Sequence, residues 1–158
     1  MGFGEAILTC FRKYVTFQGR ARRSEFWFFV LFTVLASFPA NIIDVILSTR
    51  GRVGPVSTLL SVIFFLPTLS VGVRRLHDVN RPGWLLGGLY LYAAATLAVT
   101  FALSTQAANA VPDTRGMRIA VALAMFFVLA VYAIWLFVLN FMKGTSGPNR
   151  YGPDPLQS

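Results

Sequence analysis

Apolar residues fill four long stretches of the chain, and charged residues are largely confined to the segments between them. The first stretch carries no charge from Phe26 until Asp44, and the other three are free of charge along their whole length. A helix that crosses a bilayer needs about 20 mostly apolar residues. The pattern therefore predicts four membrane-spanning helices, at about residues 26–47, 53–73, 83–103 and 119–141.

Turn and cap residues punctuate these stretches. Ser24 is a candidate cap for the first helix, and Pro55 suits the first turn of the second, where its missing N–H group has no cost. The segment from Asn80 to Gly83 is a strong turn signal between the second and third spans. Pro39 and Pro67 lie inside spans, so we expect kinks there.

The segment that precedes the first span has a helical pattern of its own. Its large apolar residues recur at intervals of three and four, with polar residues on the opposite side. This spacing predicts a short amphipathic helix within an interfacial segment of about residues 1–18. Such a helix either lies on the membrane surface or packs its apolar face on the bundle. The apolar residues are Phe3, Ile7, Phe11, Tyr14 and Phe17.

Composition agrees with a membrane protein. The chain has 158 residues, of which 56% are hydrophobic and 13% charged, whereas an ordinary soluble domain is about a quarter charged. We therefore expect an all-α polytopic membrane protein: a single domain over residues 1–158, four transmembrane helices in a bundle and a tail at 142–158.

The distribution of Lys and Arg predicts the orientation. The N-terminal segment, the turn after span two and the tail together hold ten basic residues, and the two opposite connections hold four. Basic residues favour the cytoplasmic side, so both termini are expected in the cytoplasm. The same rule accounts for the net charge of +8. Nucleic-acid binding is not expected, because the sequence has no basic stripe interleaved with exposed aromatics.

The sequence has few residues that could bind a metal or haem or form a disulfide. Cys10 is the single cysteine and His77 the single histidine. One thiol excludes a disulfide within the chain, and these two residues are too few for a structural zinc or haem site. We predict no cofactor, no metal site and no catalytic residue.

Polar residues on the expected cytoplasmic side form a candidate site. Guanidinium groups bind phosphate or carboxylate through paired hydrogen bonds, so the arginines predict an anion pocket that the tail closes as a lid. The structural alternative is a set of ion pairs that holds the helix ends together, formed by Glu25, Arg74, Arg75 and Asp78. The candidate ligand-binding residues are Arg22, Arg23, Arg74, Arg75, His77, Asp78, Asn149 and Tyr151.

Three motifs carry a resemblance to a known family. They are GRARRSEFW at residues 19–27, RRLHD at 74–78 followed by Arg81, Gly83 and Trp84, and N-x-Y-G-x-D-P at 149–155. The chain resembles, over nearly its whole length, the family called domain of unknown function 805, which comprises small bacterial inner-membrane proteins. Pro82 departs from the pattern, where a small polar residue is expected. The resemblance implies a helical bundle in the inner membrane and implies no activity.

Three functions from different classes fit these residues. The first is a non-enzymatic accessory or scaffold protein whose arginine cluster binds an anionic phospholipid head group, a small anion or a protein partner. The second is a small transporter or channel, built as a homo-oligomer. The third is a head-group enzyme with His77 as base and Asp78 as its orienting group. We favour a non-enzymatic role, because neighbours on a helix point about 100° apart and no further catalytic motif accompanies the pair.

Overall fold

The computed structural model describes residues 1–47, 54–106 and 115–157, and these ranges contain five α-helices. Four of the helices are long and apolar enough to cross a membrane, and a short helix precedes them. The predicted all-α class with four spans is therefore confirmed. The helices are α1 (Phe3–Arg12), α2 (Arg23–Ile46), α3 (Pro55–Asp78), α4 (Trp84–Gln106) and α5 (Arg115–Phe141).

The described residues form two compact units. The first, which we call the N-terminal unit, comprises Met1–Gly83 and Met142–Ser158, and thus α1 to α3 with the tail. The second comprises Trp84–Phe141, which is α4 and α5. The predicted extent of a single domain stays a prediction.

Helix α1 packs its apolar face on the helices that follow it. Ala6 and Cys10 are fully buried, and the ring of Phe11 meets those of Phe29 and Phe32 edge-on at 5.7 and 6.0 Å between centroids. Of the two alternatives for this helix, packing within the protein accounts for these contacts. The helix ends at Arg12, earlier than the predicted segment.

A proline in α3 explains how the segment after α1 is attached. Pro67 has no N–H group, so the carbonyl of Ile63 one turn earlier loses its partner within the helix. The hydroxyl of Tyr14 donates to that carbonyl at 2.5 Å. An unpaired carbonyl inside a membrane is costly, and Tyr14 therefore both satisfies α3 and fixes the chain beside it. The hydroxyl of Ser70 lies 2.9 and 2.7 Å from the carbonyls of Lys13 and Thr16.

The opposite end of α3 is capped by α2. The carboxylate of Asp44 accepts hydrogen bonds from the backbone N–H groups of Val56 and Ser57 at 3.0 and 2.8 Å. These donors have no partner within the first turn of a helix, and the helix dipole favours a negative charge there. Gly54 is required beside the cap, because a Cβ at this position would overlap the Asp44 carboxylate.

Two helix ends differ from the prediction. Arg22, in extended conformation, precedes the first residue of α2, so the expected Ser24 cap was wrong and Ser24 lies inside the helix. Helix α3 continues past Val73 to Asp78 and closes with two backbone bonds, Asn80 N to His77 O at 3.0 Å and Arg81 N to Leu76 O at 2.9 Å. With Asn80 at φ 57°, this is a Schellman ending.

The second unit is an apolar helical pair. The Tyr132 hydroxyl of α5 donates to the Leu85 carbonyl of α4 at 2.7 Å. The Thr96 hydroxyl is fully buried and donates to the carbonyl of Tyr92 in its own helix at 2.9 Å. Most large apolar side chains of both helices are exposed, as expected for surfaces that face lipid.

Candidate functional site

The last two turns of α3 place two arginines in the interior of the N-terminal unit. Arg74 and Arg75 are 1% and 0% exposed. A buried charge is tolerated only with a partner, and each has one. Arg74 pairs with Glu25 from the first turn of α2 at 2.5 Å, and Arg75 pairs with Asp78 one turn further along α3.

Cys10 completes the Arg74–Glu25 contact from the side of α1. Its Sγ lies 3.9 Å from Oε1 of Glu25. Burial, and next the charge of Glu25, raise the pKa of the Cys10 thiol to about 12. The thiol is therefore protonated at neutral pH and acts as a weak donor to the carboxylate.

Asp78 is shared between two arginines. In addition to Arg75, it accepts a hydrogen bond from Nε of Arg20 at 2.9 Å. Arg20 is only 7% exposed and precedes α2, so this second pair links the segment before α2 to the end of α3. Gly144 of the tail lies so close that a Cβ there would overlap the Asp78 carboxylate.

Both arginines on Asp78 also hold the start of the tail. Arg20 donates from Nη1 to the Gly147 carbonyl at 2.6 Å and from Nη2 to the Thr145 carbonyl at 2.5 Å. Arg75 donates from Nη2 to the Met142 carbonyl. Three backbone carbonyls are thus anchored by guanidinium groups, whose forked donors suit this task.

The tail also covers the carbonyl end of α3. The backbone N–H and the hydroxyl of Thr145 donate to the Asp78 carbonyl at 2.9 and 3.1 Å. The side-chain amide of Asn149 donates to the His77 carbonyl at 3.0 Å. The last carbonyls of a helix have no partner within it, so these bonds cap α3.

His77 takes part in this closure through its ring. The ring stacks on Tyr151 at 3.8 Å between centroids and 3° between planes, and the guanidinium of Arg150 covers the same Tyr151 ring at 4.7 Å. Nδ1 of His77 lies 3.1 Å from the Gly19 carbonyl, so this nitrogen carries the proton. Within the described chain, the His77 ring makes no hydrogen bond to the Asp78 carboxylate.

An open basic cleft lies beside the buried pairs, within the same unit. It has a volume of about 350 Å³, and its charged lining comprises Arg20, Arg22, Arg23, Asp78, Lys143 and Asp154. Ser24, Ser146 and Gln157 add neutral polar groups. Arg23 and Lys143 are exposed and Arg22 is half-buried. We call this space the head-group cleft.

Asp154 is the only carboxylate of the described tail, and it is 7% exposed. Its oxygens accept backbone N–H bonds from Leu156 at 2.9 Å and Gly147 at 3.0 Å. These two bonds lower the pKa of Asp154, and the charges of Arg20 and Arg22 lower it further. The carboxylate is therefore charged at neutral pH and folds the end of the tail against the cleft.

The structure separates the residues that the sequence grouped as one site. Arg22 and Arg23 line the head-group cleft, whereas Arg74 and Arg75 lie in buried ion pairs. His77, Asn149 and Tyr151 join the tail to α3. Sequence reasoning missed Arg20, Gly144 and Asp154. GRARRSEFW and N-x-Y-G-x-D-P contain Arg20 and Asp154, which was the available signal. Among the described residues, no group of three potential ligands could hold a metal ion.

Comparisons with known proteins place the chain in a family. A family model described as "Protein of unknown function (DUF805)" matches residues 14–153. Inner membrane protein YhaH of Escherichia coli (strain K12) is 29% identical over 150 residues, which cover 94% of this chain and 93% of the relative. Inner membrane protein YhaI of the same strain is 32% identical over 149 residues, covering 94% and 92%. No solved structure matches the chain. The chain is a multi-pass inner-membrane protein that belongs to the DUF805 family.

Proposed function

We propose that the protein is a non-enzymatic accessory component of the inner membrane that binds an anionic phospholipid head group in the head-group cleft. The observation that carries the proposal is the division of the arginines. Arg74 and Arg75 are buried against carboxylates, whereas Arg22 and Arg23 line an open cleft at the beginning of a membrane span. The ligand therefore belongs with the second pair.

The position of Arg22 and Arg23 supports a ligand role. They occupy the residue before α2 and the first residue of α2, at the positive end of the helix dipole. A cation in the first turn of a helix is unfavourable by about 0.3–1 kcal/mol. An anion in the cleft would weaken this repulsion, and guanidinium groups are strong hydrogen-bond donors to phosphate. The position of the two arginines therefore favours an anionic ligand.

The charge balance of the cleft favours an anionic phosphodiester over a zwitterionic one. Asp78 is engaged by Arg20 and Arg75, and the Asp154 carboxylate is bound by backbone N–H groups. Neither is free to receive the ammonium group of a zwitterionic lipid. Arg22, Arg23 and Lys143 can meet a phosphate, and the neutral side chains of the lining suit a hydroxylated head group.

Native mass spectrometry tests this proposal. The protein is released in mild detergent and titrated with phosphatidylglycerol or phosphatidylethanolamine. We expect the wild type to retain phosphatidylglycerol preferentially and the double variant Arg22→Gln/Arg23→Gln to lose that preference. The control is Arg12→Gln/Arg81→Gln, which removes the same charge from exposed positions outside the cleft. Equal retention by both double variants would contradict the proposal, and a co-purified protein lost only from the cleft variant would indicate a protein partner instead.

The orientation is part of the same proposal, with the cleft, the tail and both termini in the cytoplasm. The distribution of basic residues supports it, with ten on this side and four on the other. Reporter fusions at the C-terminus test it. Green fluorescent protein there should fluoresce and alkaline phosphatase should be inactive. An active phosphatase with a dark fluorescent fusion would place the cleft on the other side.

A further inference from the structure

This inference rests on the proposed function and concerns the regulation of the same cleft. We infer that the turn of residues 153–157 is an internal plug, whose Asp154 carboxylate competes with the lipid head group for the arginines of the cleft. Lipid binding and closure of the plug then exclude each other. Occupancy of the cleft by lipid releases the end of the tail.

The location of Asp154 is the first argument. It is the residue through which the tail brings negative charge into the lining of the cleft, among Arg20, Arg22, Arg23 and Lys143. The fields of Arg20 and Arg22 stabilise its charged form. A phosphate that enters the cleft would be attracted by the same two guanidinium groups and repelled by Asp154. The Asp154 carboxylate and a bound phosphate therefore compete for the attraction of these two guanidinium groups.

The attachment of the plug is the second argument. Residues before it are tied to α3 by the Asn149 bonds and by the stack of Tyr151 on His77. Beyond Pro153, Asp154 accepts the N–H groups of Gly147 and Leu156, and Gln157 N donates to the Asp154 carbonyl at 3.0 Å, so these bonds join the tail to itself and not to α3. Leu156 is 71% exposed, so release of the plug removes little apolar burial. The plug can detach while the rest of the tail stays capped on α3.

A variant that removes the charge of Asp154 tests the competition. Asp154→Asn keeps one of the two oxygens that accept backbone bonds and removes the negative charge. We expect it to bind phosphatidylglycerol roughly two- to fivefold more tightly than the wild type, which is the size of a partly exposed charge interaction. The matched control is Asp44→Asn, which removes an equal charge at the opposite end of α3. It likewise keeps one of two oxygens that accept backbone bonds, and it should leave the affinity unchanged.

Hydrogen–deuterium exchange of the wild type tests the plug a second time and does not depend on the folding of a variant. Addition of phosphatidylglycerol should increase exchange at Gly147 and Leu156, whose N–H groups bind Asp154, and should leave Thr145 protected. Bound lipid with unchanged or slower exchange at these amides would overturn the plug, as would an Asp154→Asn variant that folds and binds no more tightly. A wild type that binds no phosphatidylglycerol would instead refute the proposed function, and the plug with it.

Discussion

Two groups of arginines belong to the same compact unit, yet their surroundings differ. Arg74 and Arg75 are buried and matched with Glu25 and Asp78. Arg22 and Arg23 line an open cleft at the positive end of α2. A buried ion pair of this kind fixes the arrangement of helices, and the loss of either partner leaves an uncompensated charge. The difference teaches that the basic residues on one side of a membrane protein do not share one role.

The largest effect is expected from a substitution of one of the two buried arginines. Arg75→Ala leaves one guanidinium on Asp78 and removes the anchor of the Met142 carbonyl. We expect the free energy of unfolding to fall by about 3–5 kcal/mol, measured by denaturation in mixed micelles. Arg12→Ala, at an exposed position of α1, should change it by no more than about 0.5 kcal/mol. Similar losses in the two variants would remove the distinction between buried and exposed arginines.

The close approach of the tail to Asp78 allows a sharper test. Gly144→Ala adds a methyl group that would overlap the Asp78 carboxylate, without touching any arginine. We expect a loss of about 1–3 kcal/mol, the usual cost of an overpacked site, with faster exchange of the Thr145 amide. Gly4→Ala, which has open space around it, is the control. A neutral Gly144→Ala would mean that the tail does not close on Asp78.

The bond between Tyr14 and α3 should have a smaller effect. Tyr14→Phe leaves the Ile63 carbonyl without its donor, and we expect a loss of about 0.5–1.5 kcal/mol. Pro67→Ala restores an N–H group at the position that normally serves this carbonyl. The effect of Tyr14→Phe should therefore shrink in a Pro67→Ala background, as a double-mutant cycle would show. Additive effects would mean that the hydroxyl does not replace the missing helix bond.

The sequence predicted the helices, but it predicted only part of the candidate site. Charge-free runs predicted four spans because lipid excludes unpaired charge, and the same rule ended the second span too early. Helix α3 continues through Arg74 and Arg75 because partners on α2 and α3 neutralise them. A hydropathy pattern cannot show that Glu25 neutralises Arg74, because the two residues are distant in sequence.

The contacts missed by the sequence are those that depend on distant parts of the chain. Arg20 is separated from Asp78 by 58 residues and from Gly147 by 127, and no local pattern encodes either distance. Gly144 looks like a helix-ending glycine, and only the three-dimensional structure shows the carboxylate against it. The two groups of arginines have the same residue type and similar neighbours in sequence, so only burial distinguishes them.

Thermal unfolding with and without added phosphatidylglycerol tests the central claim most directly, because a ligand that binds the folded state raises Tm. We expect the Tm of the wild type to rise on addition of the lipid. Arg22→Gln/Arg23→Gln should lose this rise, because the variant lacks the two guanidinium groups of the cleft. A double variant that folds and keeps the full rise in Tm would contradict the division of the arginines into a buried structural pair and a lipid-binding pair.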